Sequence, residues 1–133
     1  MNIVWVNGCF DILHLGHIEM LKFARGLGDA LYVGIDSDIR VAEMKGDNRP
    51  FQNQTTRMTV LESLKFVDKV SIFDTSYQLN EYIRQASPKY LVVGEEYKDK
   101  EVIGSEHAEN IIFFPRIDNI STTLTMKKIQ SSL

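Results

Sequence analysis

The sequence predicts an α/β fold: a Rossmann-like, doubly wound parallel sheet of five strands in the order 3-2-1-4-5, with helices on both faces. Two observations lead there. Five short apolar runs, rich in β-branched and aromatic residues, read as buried strands, and segments with helical spacing alternate with them. That alternation argues for a parallel sheet covered on both sides, and right-handed crossovers leave few topologies. At 133 residues the chain is long enough for one real core and too short for two, so 1–133 reads as a single domain.

"NIVWV" (2–6) reads as the first strand, and "NGCFD" turns the chain. From Leu13 to Leu27 the spacing is helical. Leu13, Met20, Leu21, Ala24 and Leu27 share one broad face, and Gly28 stands where a C-terminal cap belongs. "ALYVGID" (30–36) is the second strand. Ser37 or Asp38 caps a short helix running to about Met44. "KGDNRPFQN" (45–53) is a loop by its Gly, Asn and Pro content. Thr55 to Val67 is a helix with Met58, Leu61, Leu64 and Val67 on one face. "KVSIFD" (69–74) is a strand, "SYQLNEYIRQAS" (76–87) a helix with Leu79 and Ile83 inward, and "YLVVGE" (90–95) a strand. Residues 97–109 are polar and show no dominant period. "IIFFP" (111–115) is the fifth strand, and "TTLTMKKIQSS" (122–132) reads as a terminal helix.

Composition narrows the function. A net charge of −3 gives no global basic field, so neither nucleic acid nor a membrane is an expected partner. Any phosphate ligand needs a local cluster of donors. The single cysteine, Cys9, excludes an internal disulfide framework and fits a reducing compartment. "MNIVWVNG" lacks the basic start of a signal peptide, and no apolar run approaches a membrane span. The expected location is cytoplasmic.

The proposed strand order gathers three segments at one sheet edge. They are "NGCFDILHLGHIEML" (7–21) after strand 1, "VVGEEYKDKEVIGSE" (92–106) from strand 4, and "PRIDNISTT" (115–123) after strand 5. In a doubly wound sheet, ligands bind beyond the carboxyl ends of the strands where the winding reverses.

His14 and His17 stand at a helix mouth, and spacing i, i+3 puts them on one helix face. Three readings compete. A metal site needs a third ligand; only Cys9, His107 and carboxylates remain, and no zinc spacing is present. In a packing reading, one histidine is a satisfied core residue and the other is exposed. In a phosphate reading, the helix N-terminus attracts the anion, and its field favours neutral, proton-donating imidazoles. Two donors aimed at one point suit a phosphate chain that gains charge during reaction. Gly8 lets backbone approach the ligand, and Gly16 keeps the space between the histidines free of side chain.

"GCFDILHLGH" (8–17) resembles the signature of the HxGH nucleotidylyltransferases, the cytidylyltransferase-like family, and "ISTT" (120–123) resembles the family's second signature. The resemblance covers essentially the whole chain. HxGH also occurs in class I tRNA synthetases, which are much longer. The resemblance implies transfer of a nucleoside monophosphate from an NTP to a phosphorylated acceptor, with release of pyrophosphate. Mg²⁺ would accompany the NTP as cofactor.

It also implies roles for residues. His14, His17, Lys45 and Arg116 would stabilise the triphosphate and transition state. Asn7, Gly8, Cys9, Phe10, Asp11 and Gly16 would cradle the nucleotide, with Asp11 ordering the turn or helping to hold Mg²⁺. Gly94 and Glu95 would lie beside the base. Ser121, Thr122 and Thr123 would bind triphosphate, although such residues also serve as plain helix caps. Arg57, Asp36 and Lys98 would serve the substrate side, and Arg49 is a weaker candidate. A homodimer is implied. The second signature often reads RTEGISTT in the family; here it is "RIDNISTT", so Ile117 and Asn119 depart from it.

Two branches of the family are close. "KGDNRPFQNQTTRM" (45–58) and "GEEYKDKEVIGSE" (94–106) resemble the heptose 1-phosphate adenylyltransferases, which use ATP. Chain length and the RxxxISTT pattern resemble the glycerol-3-phosphate cytidylyltransferases, which use CTP. Two internal loops favour the first. A nucleotide-binding module without catalysis is the reading from another class, and intact His14, His17, Lys45 and Arg116 argue against it.

Overall fold

The structure, a computed structural model, describes residues 1–115. The expected terminal helix and Arg116, Ser121, Thr122 and Thr123 lie outside the described residues. Strands β1 (Ile3–Gly8), β2 (Ala30–Asp36), β3 (Lys69–Phe73), β4 (Tyr90–Gly94) and β5 (Asn110–Phe114) form one parallel sheet in the order β3-β2-β1-β4-β5. This is the order the alternation predicts. The helices are α1 (Leu15–Gly26), α2 (Asp38–Lys45), α3 (Gln54–Glu62) and α4 (Ser76–Ala86).

The period of two along each strand divides the core between the faces. Val4, Val6, Leu31, Val33, Ile35, Val70 and Val92 pack with Leu21 and Ala24 of α1 and Leu61 of α3. Trp5, Phe73 and Leu91 point the other way and pack with Leu79 and Ile83 of α4. Gly34 allows this arrangement, because a Cβ there would lie 2.7 Å from Cζ2 of the Trp5 indole.

Four expectations shift. β1 runs on through Asn7 and Gly8, which pair with Gly34 and Ile35 of β2. α3 stops at Glu62, not Val67. The Leu64 and Val67 amides bond three residues back, to Leu61 and Leu64, and these tight turns still carry Leu64, Phe66 and Val67 to the core. Gly28 is not the α1 cap; Leu27 ends the helix in right-handed geometry. Gly28 is needed for packing, since a Cβ would meet the Asn2 carbonyl oxygen at 2.5 Å. β4 ends at Gly94, a 3₁₀ turn Glu95–Tyr97 leads into the unassigned 97–109 region, and a second, Ser105–His107, lies within it. Among the described residues, no helix is long and apolar enough to cross a membrane.

Candidate active site

A cavity of about 660 Å³ opens at the carboxyl ends of the strands, across the point where winding reverses between β1 and β4. Stretch 7–11 lines it, with His14, Gly16, His17, Asp36, Lys45 and Gly94.

The turn from β1 into α1 is strained. Phe10 has φ 50° and Ile12 φ 63°, a left-handed region that a β-branched residue rarely enters. Two anchors hold it. The Phe10 ring is buried in the core. The Asp11 carboxylate, 1% exposed, accepts the Phe51 amide at 2.7 Å and the Gln52 amide at 2.9 Å. Asp11 therefore orders the turn against the 49–52 loop. Its oxygens are engaged by N–H donors, which disfavours the alternative role of metal ligand.

His14 is the N-cap of α1. Its Nδ1 accepts the Gly16 amide at 3.1 Å, and His17 Nδ1 accepts the His14 amide at 3.3 Å. The rings stack with centroids 3.9 Å apart. A neutral imidazole whose Nδ1 accepts a hydrogen bond carries its proton on Nε2. The capping box so fixes both tautomers and makes each Nε2 a donor. His17 stays neutral: burial, then the neighbouring His14 and Lys45 charges, lower its pKa to about 4. A Cβ at Gly16 would lie 2.9 Å from His14 Cε1, so glycine there sets the ring position.

Cys9 is a thiol rather than a nucleophile. Burial and the Asp36 carboxylate raise its pKa to about 11, against a smaller lowering by Lys45. Its Sγ donates to Asp36 Oδ2 at 3.5 Å. Asp36 also accepts Arg40 Nε at 2.8 Å. Asp36, expected on the substrate side, is thus a wall residue engaged by Arg40 and Cys9.

Arg57 needs a correction. It was expected to contact substrate, but it is 0% exposed and does not line the cavity. Nη1 donates to the Cys9 carbonyl at 2.9 Å and the Asp36 carbonyl at 2.7 Å. Nε donates to the Gln52 carbonyl at 3.0 Å, and Nη2 pairs with Asp38 at 2.9 Å. It ties the ends of β1 and β2 to α2. Lys98 and Glu95 are exposed and lie outside the cavity lining. Sequence reasoning missed Arg40 and Tyr97, both of which line the cavity. Arg40 spacing from Asp36, i to i+4, is the one signal that points to the pair.

A family model described as cytidylyltransferase-like matches residues 5–131. The chain belongs to the cytidylyltransferase-like family. Curated relatives of this cytidylyltransferase-like chain include the bifunctional protein HldE of Campylobacter fetus, 46% identical over 127 residues, or 96% of this chain and 28% of that one. The bifunctional protein HldE of Helicobacter acinonychis is 41% identical over 128 residues, 96% of this chain and 27% of that one. The chain thus spans little more than a quarter of the length of these relatives. Among solved structures, a lipopolysaccharide core biosynthesis protein from Thermoplasma volcanium superposes with a TM-score of 0.67 at 27% identity, over 91% of this chain and 99% of that one. Pantothenate synthetase from Thermus thermophilus superposes at 0.64 with 10% identity, over 96% of this chain and 64% of that one, and shares the fold alone.

Proposed function

We propose that this domain transfers the AMP unit of ATP to a heptose 1-phosphate-like sugar phosphate. A phosphate oxygen of the acceptor attacks the α-phosphorus. The bond from the α-phosphorus to the bridging oxygen breaks, and pyrophosphate leaves with the electron pair. No covalent enzyme intermediate is needed, so the protein's task is positioning and charge stabilisation. His14 and His17 donate from Nε2 to phosphate oxygens at the mouth of α1, and the Lys45 ammonium adds positive charge beside them. The carrying observation is the pair of imidazoles, fixed as Nε2 donors by the α1 capping box and lining one cavity.

Support for the acceptor comes from the two internal loops that resemble heptose 1-phosphate adenylyltransferases, and from the lipopolysaccharide core biosynthesis neighbour. Among the described residues, no group of three or more His, Cys, Asp or Glu could hold a metal. In this reading magnesium would arrive with the substrate, as the MgNTP complex, where it would neutralise phosphate charge. The family resemblance also implies a homodimer, which light scattering on the purified chain tests.

Pyrophosphate release, with ATP and CTP against a panel of sugar and polyol phosphates, tests the reaction. Turnover with ATP and a heptose 1-phosphate supports it. Turnover only with CTP and glycerol 3-phosphate moves the domain to the other branch. Nucleotide binding with silence across the panel favours a non-catalytic module.

A further inference from the structure

Two arginines of one loop-and-helix unit end in opposite conditions. Arg57 has every nitrogen engaged by protein acceptors. Arg49 does not. Its Nε donates to Asp11 Oδ2 over 3.4 Å, and its guanidinium lies 4.4 Å above the Phe51 ring. Its Nη2 is buried and has no hydrogen-bond partner among the described residues. The side chain is 11% exposed, and the residue lines the cavity.

That nitrogen carries two N–H donors on a group that cannot discharge itself. Leaving charged donors buried and unmade is unfavourable. Asp11 meets this side chain through Nε, not Nη2, while also accepting the Phe51 and Gln52 amides. The ion pair and the ring stack hold the guanidinium in place before any ligand arrives, so little side-chain freedom is lost on binding. An anionic oxygen in the cavity would complete the set, and guanidinium recognises phosphate oxygens well.

We propose that Arg49 binds a phosphate group in this cavity, with Nη2 donating to a non-bridging oxygen. The identity of the substrate rests on the proposed reaction; the binding does not. The triphosphate tail and the acceptor phosphate share this chemistry, and the test separates them.

The full chain is titrated calorimetrically with inorganic pyrophosphate and, separately, with mannose 1-phosphate. Wild type, Arg49→Gln and Arg49→Lys are compared with Arg84→Gln, a control at an exposed residue paired with Glu81. Loss of a charge-assisted hydrogen bond should weaken one probe by about tenfold or more in Arg49→Gln, with no change in Arg84→Gln. Arg49→Lys keeps the charge beside Asp11 without the planar fork and should fall between. Weakened pyrophosphate binding assigns Arg49 to the nucleotide, and weakened mannose 1-phosphate binding assigns it to the acceptor. In turnover, KM for that one substrate should rise by a similar factor while kcat changes far less. A purely structural role would instead lower Tm and shift KM for both substrates together. Should Arg49→Gln fail to fold, Arg49→Lys decides. Unchanged affinity for both probes overturns the proposal, as does a wild type that binds neither at millimolar concentration. If no acceptor turns over while Arg49→Gln still loses a probe, the reaction fails and the site stands.

Discussion

His14 and His17 stack with ring centroids 3.9 Å apart and planes 25° from parallel, and the His14 amide donates to the His17 ring. One pair of side chains thus closes the first turn of α1 and presents two Nε2 donors. Substitution can separate these tasks. Asparagine is a good N-cap, so His14→Asn should keep stability within about 0.5 kcal/mol of wild type in urea unfolding. It lacks the fixed Nε2 donor, so kcat should fall on the order of 10²–10³-fold. Pyrophosphate release measures this, and near wild-type turnover in a folded His14→Asn would refute the donor role.

Gly16→Ala makes the converse case. Alanine is a better helix former than glycine by about 1 kcal/mol, so the propensity term favours the variant. Its Cβ would sit 2.9 Å from His14 Cε1 and 3.1 Å from Nδ1, and the ring must move. That movement gives up the Gly16-to-His14 hydrogen bond which fixes the tautomer. Stability should change little or rise, while kcat falls at least about tenfold. Equal losses of stability and activity would show that the glycine serves folding alone.

The strand order was legible because parallel pairing leaves buried apolar runs on every strand, and helical segments separate them. The pairing of the two histidines was legible because positions 14 and 17 stand three apart at a helix mouth after a glycine turn. Arg57 was not. Its acceptors on Cys9 and Asp36 are 48 and 21 residues away, and local sequence cannot distinguish such a tie from a phosphate ligand. Arg49 and Arg57 look alike in "NRPFQNQTTRM"; only their burial and partners separate them. The end of α3 was missed for a related reason. Leu64 and Val67 keep an inward position through tight turns, so the hydrophobic period outlasts the helix.

Arg57 carries its own prediction. Removing a buried cation that serves three carbonyls and a carboxylate leaves those acceptors unpaired. Arg57→Met should cost on the order of 3–5 kcal/mol. Arg57→Lys should recover only part of it, since three donors on one nitrogen cannot reach acceptors spread around a planar fork. Urea unfolding measures both variants. A cost below about 1 kcal/mol for Arg57→Met would mean the tie is not what holds β1, β2 and α2 together.

The lowered pKa of His17 fixes the direction of a pH effect. In the folded chain the ring titrates at about 4, against 6.5 for the unperturbed group. As pH falls through 6.5, the unfolded chain takes up the proton first. His17 therefore withdraws stability between pH 6.5 and about 4, with a slope of at most about 1.4 kcal/mol per pH unit, and adds nothing further below. The ring should stay neutral, and its donor intact, across the neutral range. Pyrophosphate bound beside it brings negative charge and should move the midpoint upward. A titration of the His17 Cε1 proton by NMR, with and without pyrophosphate, reads both effects. A ligand-free midpoint near 6.5 would place the ring in water rather than in the wall of the cavity, and the neutral-donor role would fall with it.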